Sequence, residues 1–282
     1  MRKLIEFLKY NKKWNIALWV IIGVFLTGAL LAINGKENQL RVSGVDISIE
    51  PRELLSFLDS LKVIEILKGE DVERNLIGES RESINIDEME RSLESYPFIE
   101  SADVSLDLSG KLIVKVIQRS PVLRIINSQL QSYYVAKSGY KMPMHTSFSP
   151  RVLIASGNIA ETLTDSTGVQ SQLLRDLLAI ANFCAEDAFW HSQIEQIYVD
   201  NYMDILLIPK VGNHSIVFGS AENLEGKFER LKTFYLQGLN KIGWDAYSKI
   251  NLKYDSQIVA ERRDYVPPAP VVPPVSAPTN TN

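Results

Sequence analysis

The chain has 282 residues, 45% of them hydrophobic, and a formal net charge of -4. A protein that neutralises many phosphates needs a basic face, so this balance argues against a nucleic-acid-binding function. The length allows a folded part of about 230 residues, which is enough to bury a hydrophobic core. Because Cys184 is the single cysteine, an internal disulfide is excluded. Its place in an apolar helical pattern predicts a small, buried core residue.

Residues 14–33 form an uncharged apolar stretch that contains Trp14 and Trp19. At 1.5 Å per residue a helix of this length spans about 30 Å, the thickness of the hydrocarbon core of a bilayer. The preceding residues 1–13 carry five basic side chains and one acidic one: Arg2, Lys3, Lys9, Lys12 and Lys13 against Glu6. The positive-inside rule then places residues 1–13 in the cytoplasm. We therefore predict a single transmembrane helix that anchors an extracytoplasmic domain to the inner membrane.

A cleaved signal peptide is the alternative interpretation of the same segment. Its apolar region would span about 7–15 residues and end in an A-x-A-like site. The stretch here is longer, and Leu30-Leu31-Ala32 fits such a site poorly. We favour the anchor. A mature protein whose N-terminus lies near Ile33 would show instead that the segment is a cleaved signal peptide.

Residues 38–119 read as a small α+β domain. A strand is predicted at residues 40–45, followed by a helix that begins near Pro51 and has an apolar face at Leu54, Leu55, Leu58, Leu61 and Ile64. Asn85 or Asp87 is expected to cap a second helix, which ends before Pro97. Two strands follow at 98–108 and 111–118, joined by a tight turn at Ser109-Gly110. The predicted order is strand, helix, helix, strand, strand.

Residues 120–263 predict a mostly antiparallel β domain with two helices. Strands are expected at residues 121–126, 133–136, 151–155, 194–199, 204–209 and 214–218, the last three as an antiparallel meander. Amphipathic helices are predicted over 169–185 and 222–239. A final strand is predicted at 247–259, with none after it. The Pro-rich tail, residues 264–282, cannot bury apolar surface and is expected to be disordered or polyproline-like.

The chain carries no linear motif for catalysis or metal binding. His145, His191 and His214 lack metal-ligand spacing, and neither H-E-x-x-H, G-x-S-x-G, a P-loop nor G-x-G-x-x-G is present. We therefore predict a protein that is not an enzyme, with no cofactor and no small-molecule substrate.

The order of these segments, together with the local sequence, resembles the FtsQ/DivIB family of bacterial cell-division proteins. The stretches that carry the resemblance are Gln118-Arg119-Ser120-Pro121-Val122-Leu123-Arg124, Tyr96-Pro97-Phe98-Ile99, Tyr133-Tyr134-Val135, and Lys253-Tyr254-Asp255-Ser256. The resemblance covers about residues 14–259 and implies a POTRA domain at 38–119, with βααββ order, and a β domain at 120–263.

The resemblance also implies a role as a divisome scaffold at the division septum. Family members bind FtsB (DivIC) and FtsL outside the cytoplasm and link them to upstream division proteins, with FtsK, FtsW and FtsI as further candidate partners. An FtsB-like chain adds a strand beside the last strand of the β domain. Tyr254 matches a tyrosine that the family uses in this contact, whereas Lys253 and Gln257 depart from the more usual arginine and glycine. The expected contact residues are Leu252, Tyr254, Ser256 and Ile258.

General physics supports such a contact, since a terminal strand at a sheet edge offers unpaired N–H and C=O groups to a partner strand.

Two other functions stay open at this stage. A POTRA-bearing secretion or envelope-assembly protein would carry a membrane β-barrel or several POTRA repeats. An anchored envelope enzyme or receptor would show a deep pocket with convergent titratable groups.

Overall fold

The computed structural model describes residues 18–28, 41–51, 57–71, 73–164 and 167–263. Residues 18–28 are helical and expose apolar side chains such as Trp19 and Phe25. Across these described ranges, no helix is both long and apolar enough to span a bilayer. The predicted anchor at 14–33 lies only partly within them and stays a prediction. The predicted tail at 264–282 lies outside them.

The chain divides into two compact units, Met1–Arg119 and Ser120–Asn282. Within the first unit, the described residues from 44 to 119 contain a three-stranded sheet and two α-helices in the βααββ order that the sequence predicts. Strand β3 lies in the centre, parallel to β1 and antiparallel to β2. Its buried residues Leu112, Val114 and Val116 confirm the predicted alternation. The elements are β1 (Gly44–Glu50), α1 (Ser60–Lys68), a 3-10 turn (Arg81–Ser83), α2 (Ile86–Glu94), β2 (Ile99–Leu106) and β3 (Lys111–Gln118).

Two predictions for the first unit are wrong in detail. The first strand begins at Gly44 and not at residue 40, because the backbone of Val42 bonds to Glu79 and Gly78 in a loop instead of to β3. Leu61 is 76% exposed, although the pattern placed it on the apolar face. Helix α1 starts at Ser60, after its cap Asp59, and its buried face runs through Val63 and Leu67. The predicted helix positions Leu54 and Leu55 lie in residues 52–56, outside the described ranges.

The second helix of this unit confirms its predicted cap. The side chain of Asn85 accepts a hydrogen bond from the N–H of Glu88 at 3.2 Å, which satisfies one of the amide groups that a helix start leaves unpaired. Met89 and Leu93 then lie four residues apart on the buried face of α2.

The second unit is built on a nine-stranded sheet with the spatial order β12-β11-β10-β9-β8-β7-β4-β5-β6. The strands are β4 (Pro121–Ile126), β5 (Ser132–Ala136), β6 (Lys141–Met142), β7 (Leu153–Gly157), β8 (Ile194–Val199), β9 (Ile205–Pro209), β10 (Ser215–Gly219), β11 (Tyr247–Asn251) and β12 (Val259–Arg262). The helical segments are α3 (Gln172–Glu186), α4 (Ala188–Gln193), α5 (Leu224–Phe234), a π-helix (Tyr235–Leu239) and α6 (Asn240–Ile242).

The predicted antiparallel meander of β8, β9 and β10 is confirmed. Three other neighbouring pairs are parallel, namely β4 with β7, β7 with β8, and β10 with β11. Parallel neighbours need a long crossover, and α3 and α5 supply it for β7–β8 and β10–β11. Both crossovers step across the sheet in the same direction, so the right-handed rule places both helices on one face. One core cluster accordingly contains residues of both helices.

The core of this unit is rich in aromatic rings on α4, α5 and the π-helix. Phe228 stacks on Phe183 with ring centroids 4.5 Å apart and lies 4.8 Å from Trp190. The predicted inward face of the second long helix is confirmed at Phe228, Leu231, Tyr235 and Leu239, all fully buried. Cys184 is buried as predicted, and burial raises the pKa of its thiol to about 12.

The predicted single last strand at 247–259 is wrong. The chain leaves the strand conformation after Asn251, turns, and returns as the separate strand β12, which pairs antiparallel with β11. Two local features make the turn. The side chain of Asn251 accepts the N–H of Lys253 at 2.9 Å, and Ser256 adopts a left-handed φ of 63°.

A buried ion pair ties the loop before α3 to the core. The fully buried ammonium of Lys141 lies 3.2 Å from a carboxylate oxygen of Glu161, which also accepts hydrogen bonds from Ser171 and Gln170. Burial acts to raise the pKa of the Glu161 carboxyl. The hydrogen bonds from Ser171, Gln170 and Lys141 outweigh it, so the pKa lies below its ordinary value.

We expect Glu161→Gln to lower the free energy of unfolding by about 3–5 kcal/mol, since it leaves the Lys141 charge buried and unpaired. The folded pKa of Glu161 is below the unfolded value of about 4.3. Its contribution to stability is therefore present above that value and is lost as the pH falls through the folded pKa. Denaturant unfolding between pH 3 and 7 measures both effects.

Glu186→Gln, which breaks an exposed pair with Lys137, is the matched control and should lower the free energy of unfolding by less than about 1 kcal/mol. Equal costs for the two variants would contradict this account.

Gly157 ends β7 at φ 104°, where a Cβ would lie 2.1 Å from the carbonyl oxygen of Val199 on β8. Gly157→Ala should therefore destabilise the chain by about 2–4 kcal/mol, through backbone strain and displacement of β8. Gly168→Ala is the control, because the nearest atom there is 4.0 Å away. Thermal unfolding of both variants gives the comparison, and a Gly157→Ala melting temperature equal to that of the control would refute the prediction.

Candidate functional site

The two ends of the nine-stranded sheet differ in how their backbone groups are used. At the β6 end, the chain's own residues 167–169 lie beside the strand: the N–H of Lys141 donates to Thr167 at 2.7 Å, and Tyr140 forms an antiparallel bridge with Gly168. At the other end, β12 pairs with β11 on one side, and no described strand pairs with its other side. We call this second side the open edge.

The direction of the peptide groups along β12 follows from its last hydrogen bond. The N–H of Arg263 donates to the carbonyl of Ala246, across the β11–β12 pair. Because peptide groups alternate in direction along a strand, the N–H of Glu261 also faces β11. The N–H groups of Ala260 and Arg262 then face the open edge, where they can donate hydrogen bonds to the carbonyl groups of a further strand.

Side chains on β12 alternate between the core and the surface. Ile258 and Ala260 pack against the core cluster, whereas Val259 is 47% exposed and Glu261 is exposed. Glu261 lies opposite Lys249 on β11, so residues of opposite charge face each other across the two strands. A shallow groove of about 480 Å³ follows this outer face of the two strands.

The C-terminal end of β12 is held in place by one arginine. The guanidinium of Arg263 donates to the backbone carbonyls of Asn213, Asp245 and Tyr247. The hydroxyl of Ser248 donates to the carbonyl of Glu261 at 3.3 Å. These contacts already hold the edge strand in place in the unbound chain. The loss of conformational entropy when a further strand binds is therefore smaller.

The four residues predicted to contact a partner do not share one strand face. Leu252 is fully buried and its N–H donates to Val217 at 2.9 Å. Tyr254 and Ser256 lie in the turn between β11 and β12, where the Tyr254 side chain is half-exposed. Ile258 is partly buried and packs against the core. The structure therefore brings Tyr254 and Ser256 to the surface beside the start of β12, and turns Leu252 inward.

Sequence reasoning missed β12 itself, residues 259–262. The turn chemistry of Asp255 and Ser256 was a signal that the strand breaks there. The short apolar run Ile258-Val259-Ala260 after the turn was the signal that it resumes.

One lysine ties the turn to the region before β9, and a second lysine lies in the cleft beside it. The ammonium of Lys253 lies 2.8 Å from each carboxylate oxygen of Asp204, at the start of β9. The buried ammonium of Lys227 donates to the carbonyls of Phe218 and Ser220, and burial lowers its pKa. Both side chains line a polar cleft of about 500 Å³, and both are already engaged with groups of this chain.

His214 and His191 lie in different segments of the second unit. His214 is buried and contacts the Tyr235 hydroxyl at 2.9 Å, and burial lowers the pKa of its imidazole. His191 is exposed on α4. Within the portion of the chain that the structure describes, no three or more His, Cys, Asp or Glu side chains are placed to hold a metal ion.

Comparisons with known proteins agree on one family. Residues 120–261 match the family model described as FtsQ/DivIB, C-terminal related, and residues 41–117 match a POTRA-like domain. A cell division protein FtsQ from Salinibacter ruber (strain DSM 13855 / M31) is 26% identical to the chain over 176 residues. That alignment covers 60% of this chain and 66% of the relative, which is just under two thirds of its length. The chain belongs to the FtsQ/DivIB family of cell-division proteins.

Proposed function

We propose that this chain is a divisome scaffold that binds FtsB/DivIC-type and FtsL-type proteins outside the cytoplasm and links them to upstream division proteins at the septum. In this proposal the β domain holds the FtsB-type chain, and FtsK, FtsW and FtsI are further candidate partners. The chain acts by binding and catalyses no reaction. Its predicted helix at residues 14–33 anchors it in the inner membrane as a single-pass protein.

The observation that carries the proposal is the open edge of β12. A partner strand beside it gains main-chain hydrogen bonds from outward-facing groups such as the N–H of Ala260. Side chains at alternate positions of the partner then meet the outer groove along Lys249, Asn251 and Glu261. At the β6 end of the same sheet, by contrast, the N–H of Lys141 is already bonded to Thr167.

This mechanism differs in one respect from the contact expected from sequence. The added strand pairs with β12, residues 259–262, and not with residues 252–258. Tyr254 and Ser256 contribute from the turn that precedes β12, where the half-exposed tyrosine ring offers apolar area and a hydroxyl. Leu252 and Ile258 contribute by holding the turn on the core.

We predict that Ala260→Pro weakens binding of an FtsB-type protein by about tenfold or more, because proline removes an outward N–H and disfavours a paired neighbour. The measurement is a titration of the full-length chain in detergent with the FtsB- and FtsL-type proteins of the same bacterium. Ala260→Ser keeps the N–H and is the control. Melting temperatures of both variants establish that β12 remains folded. Equal affinity of a folded Ala260→Pro variant would rule out strand addition at this edge.

Tyr254→Glu tests the turn separately in the same titration. We expect a loss of affinity of about threefold to tenfold, since the substitution removes the exposed ring and places a charge beside the partner. The melting temperature should change little, because half of the ring already faces solvent. Unchanged affinity would show that Tyr254 takes no part in the contact. The role of β12 would then be judged from the Ala260→Pro variant alone.

A further inference from the structure

The three-stranded sheet of the first unit ends at β2, which pairs with β3 on one side, and no described strand pairs with its other side. We call this other side the β2 edge. Strand β2 has eight residues, whereas β12 has four. A long edge strand presents a row of backbone groups to which extended chains can pair, so natural proteins cover or block such an edge.

The N–H groups that face the β2 edge follow from the turn after the strand. The N–H of Asp107 donates to the carbonyl of Lys111 at 3.0 Å, across the β2–β3 pair. Peptide groups alternate in direction along a strand, and the register of β2 has no shift between residues 101 and 106. The N–H groups of residues 103 and 105 therefore also face β3, and those of Ala102 and Val104 face the β2 edge.

Helix α2 meets these two outward N–H groups with two carboxylates. A carboxylate oxygen of Glu90 accepts a hydrogen bond from the N–H of Val104 at 2.8 Å. A carboxylate oxygen of Glu94 accepts one from the N–H of Ala102 at 3.4 Å, a longer bond in a more exposed place. Each carboxylate oxygen thus occupies the position that a carbonyl oxygen of a neighbouring strand would take.

The dimensions of the two elements explain why successive carboxylates reach successive amides. Residues four apart on a helix are separated by about 6 Å along its axis, and residues two apart on a strand by about 6.8 Å. Glu90 and Glu94 are four apart on α2, and their partners Val104 and Ala102 are two apart on β2. Because α2 packs against β2, both hydrogen bonds form side by side.

The position of Glu94 is unfavourable for the helix taken alone. Glu94 is the last residue of α2, where the partial negative charge of the helix end opposes a carboxylate. Asp87 and Glu88, in the first turn of α2, have the favourable placement for acidic side chains. The contact with the β2 edge gives Glu94 a role that the helix does not provide.

We infer that Glu90 and Glu94 form a latch that closes the β2 edge to extended chains, and that the chain it excludes is a second copy of this protein. Every copy carries the same eight-residue strand, so an antiparallel β2–β2 pair is open to any two copies that meet. Such a pair needs the N–H groups that the latch now holds. The inference concerns the first unit and does not depend on the proposed function.

Hydrogen exchange of backbone amides in the full-length chain in detergent tests the latch directly. At low protein concentration, we expect Glu90→Ala to speed exchange of the Val104 amide at least about tenfold, because that amide loses its acceptor. The Ser105 amide faces β3 and should change less than about twofold. Glu90→Gln keeps an acceptor oxygen and is the matched control, with the Val104 amide within about threefold of the wild type. An unchanged Val104 amide in Glu90→Ala would overturn the latch.

Sedimentation equilibrium of the same protein tests what the latch excludes. The double variant Glu90→Ala, Glu94→Ala should self-associate at least about tenfold more tightly than the wild type, whereas the corresponding double glutamine variant should match the wild type. Adding Ala102→Pro to the double alanine variant should reverse the gain, because proline removes an outward N–H of β2. Association that persists with Ala102→Pro would use another surface and overturn the inference. Faster exchange at Val104 without tighter association would overturn the protective role.

Melting temperatures separate the latch from the fold. The alanine variants should melt within a few degrees of the wild type, since alanine favours a helix and the two glutamates lie at the surface of α2 or only partly buried. If Glu90→Ala melts several degrees lower, Glu94→Ala alone, at an exposed position, carries the same exchange test at the Ala102 amide. An unchanged Ala102 amide in that variant would overturn the latch in turn.

Discussion

The backbone groups at the two ends of the nine-stranded sheet are the constraint on which the rest of this molecule depends. The N–H and C=O groups of a buried strand need hydrogen-bond partners. On the outermost strand of a sheet, one row of these groups has no neighbouring strand and bonds instead to a loop, to solvent or to another chain. At the β6 end the chain closes the row with residues 167–169. At the β12 end no described strand pairs with the outer row, whose N–H and C=O groups face outward and are available to a further strand.

An open edge is also a liability, because any extended chain can pair with it. The β12 edge limits this risk in three ways. The strand has four residues, a register shift interrupts its pairing with β11, and two of its residues, Glu261 and Arg262, are charged and exposed. A short charged edge pairs weakly with an unselected strand, so specificity has to come from contacts beside it. Under the proposed function, the half-exposed Tyr254 in the turn is one such contact.

Buried polar groups in the second unit fall into two kinds. Glu161 with Lys141 and Ser171, and Lys227 with two carbonyls, have their hydrogen bonds made within the chain, and such networks fix the loops around them. Arg230 has two donors without partners in the described part of the fold. The first kind stabilises the domain, whereas a buried donor without a partner lowers its stability. Substitution at Glu161 is therefore expected to lower the stability of the domain.

Local chemistry in the sequence determined much of this protein. Asn85 caps α2, the alternation of Leu112, Val114 and Val116 makes β3, and the apolar spacing of α5 places Phe228 and Tyr235 in the core, because each depends on residues within a few positions of one another. Tertiary structure decided what depends on distant pairing: that α3 and α5 cross over between parallel strands, and that Leu61 faces solvent. It also decided that the chain turns after Asn251 to form β12. The site is divided in the same way. Tyr254 was singled out by the resemblance to the family, whereas the open edge of β12 exists only once strands far apart in the chain have paired.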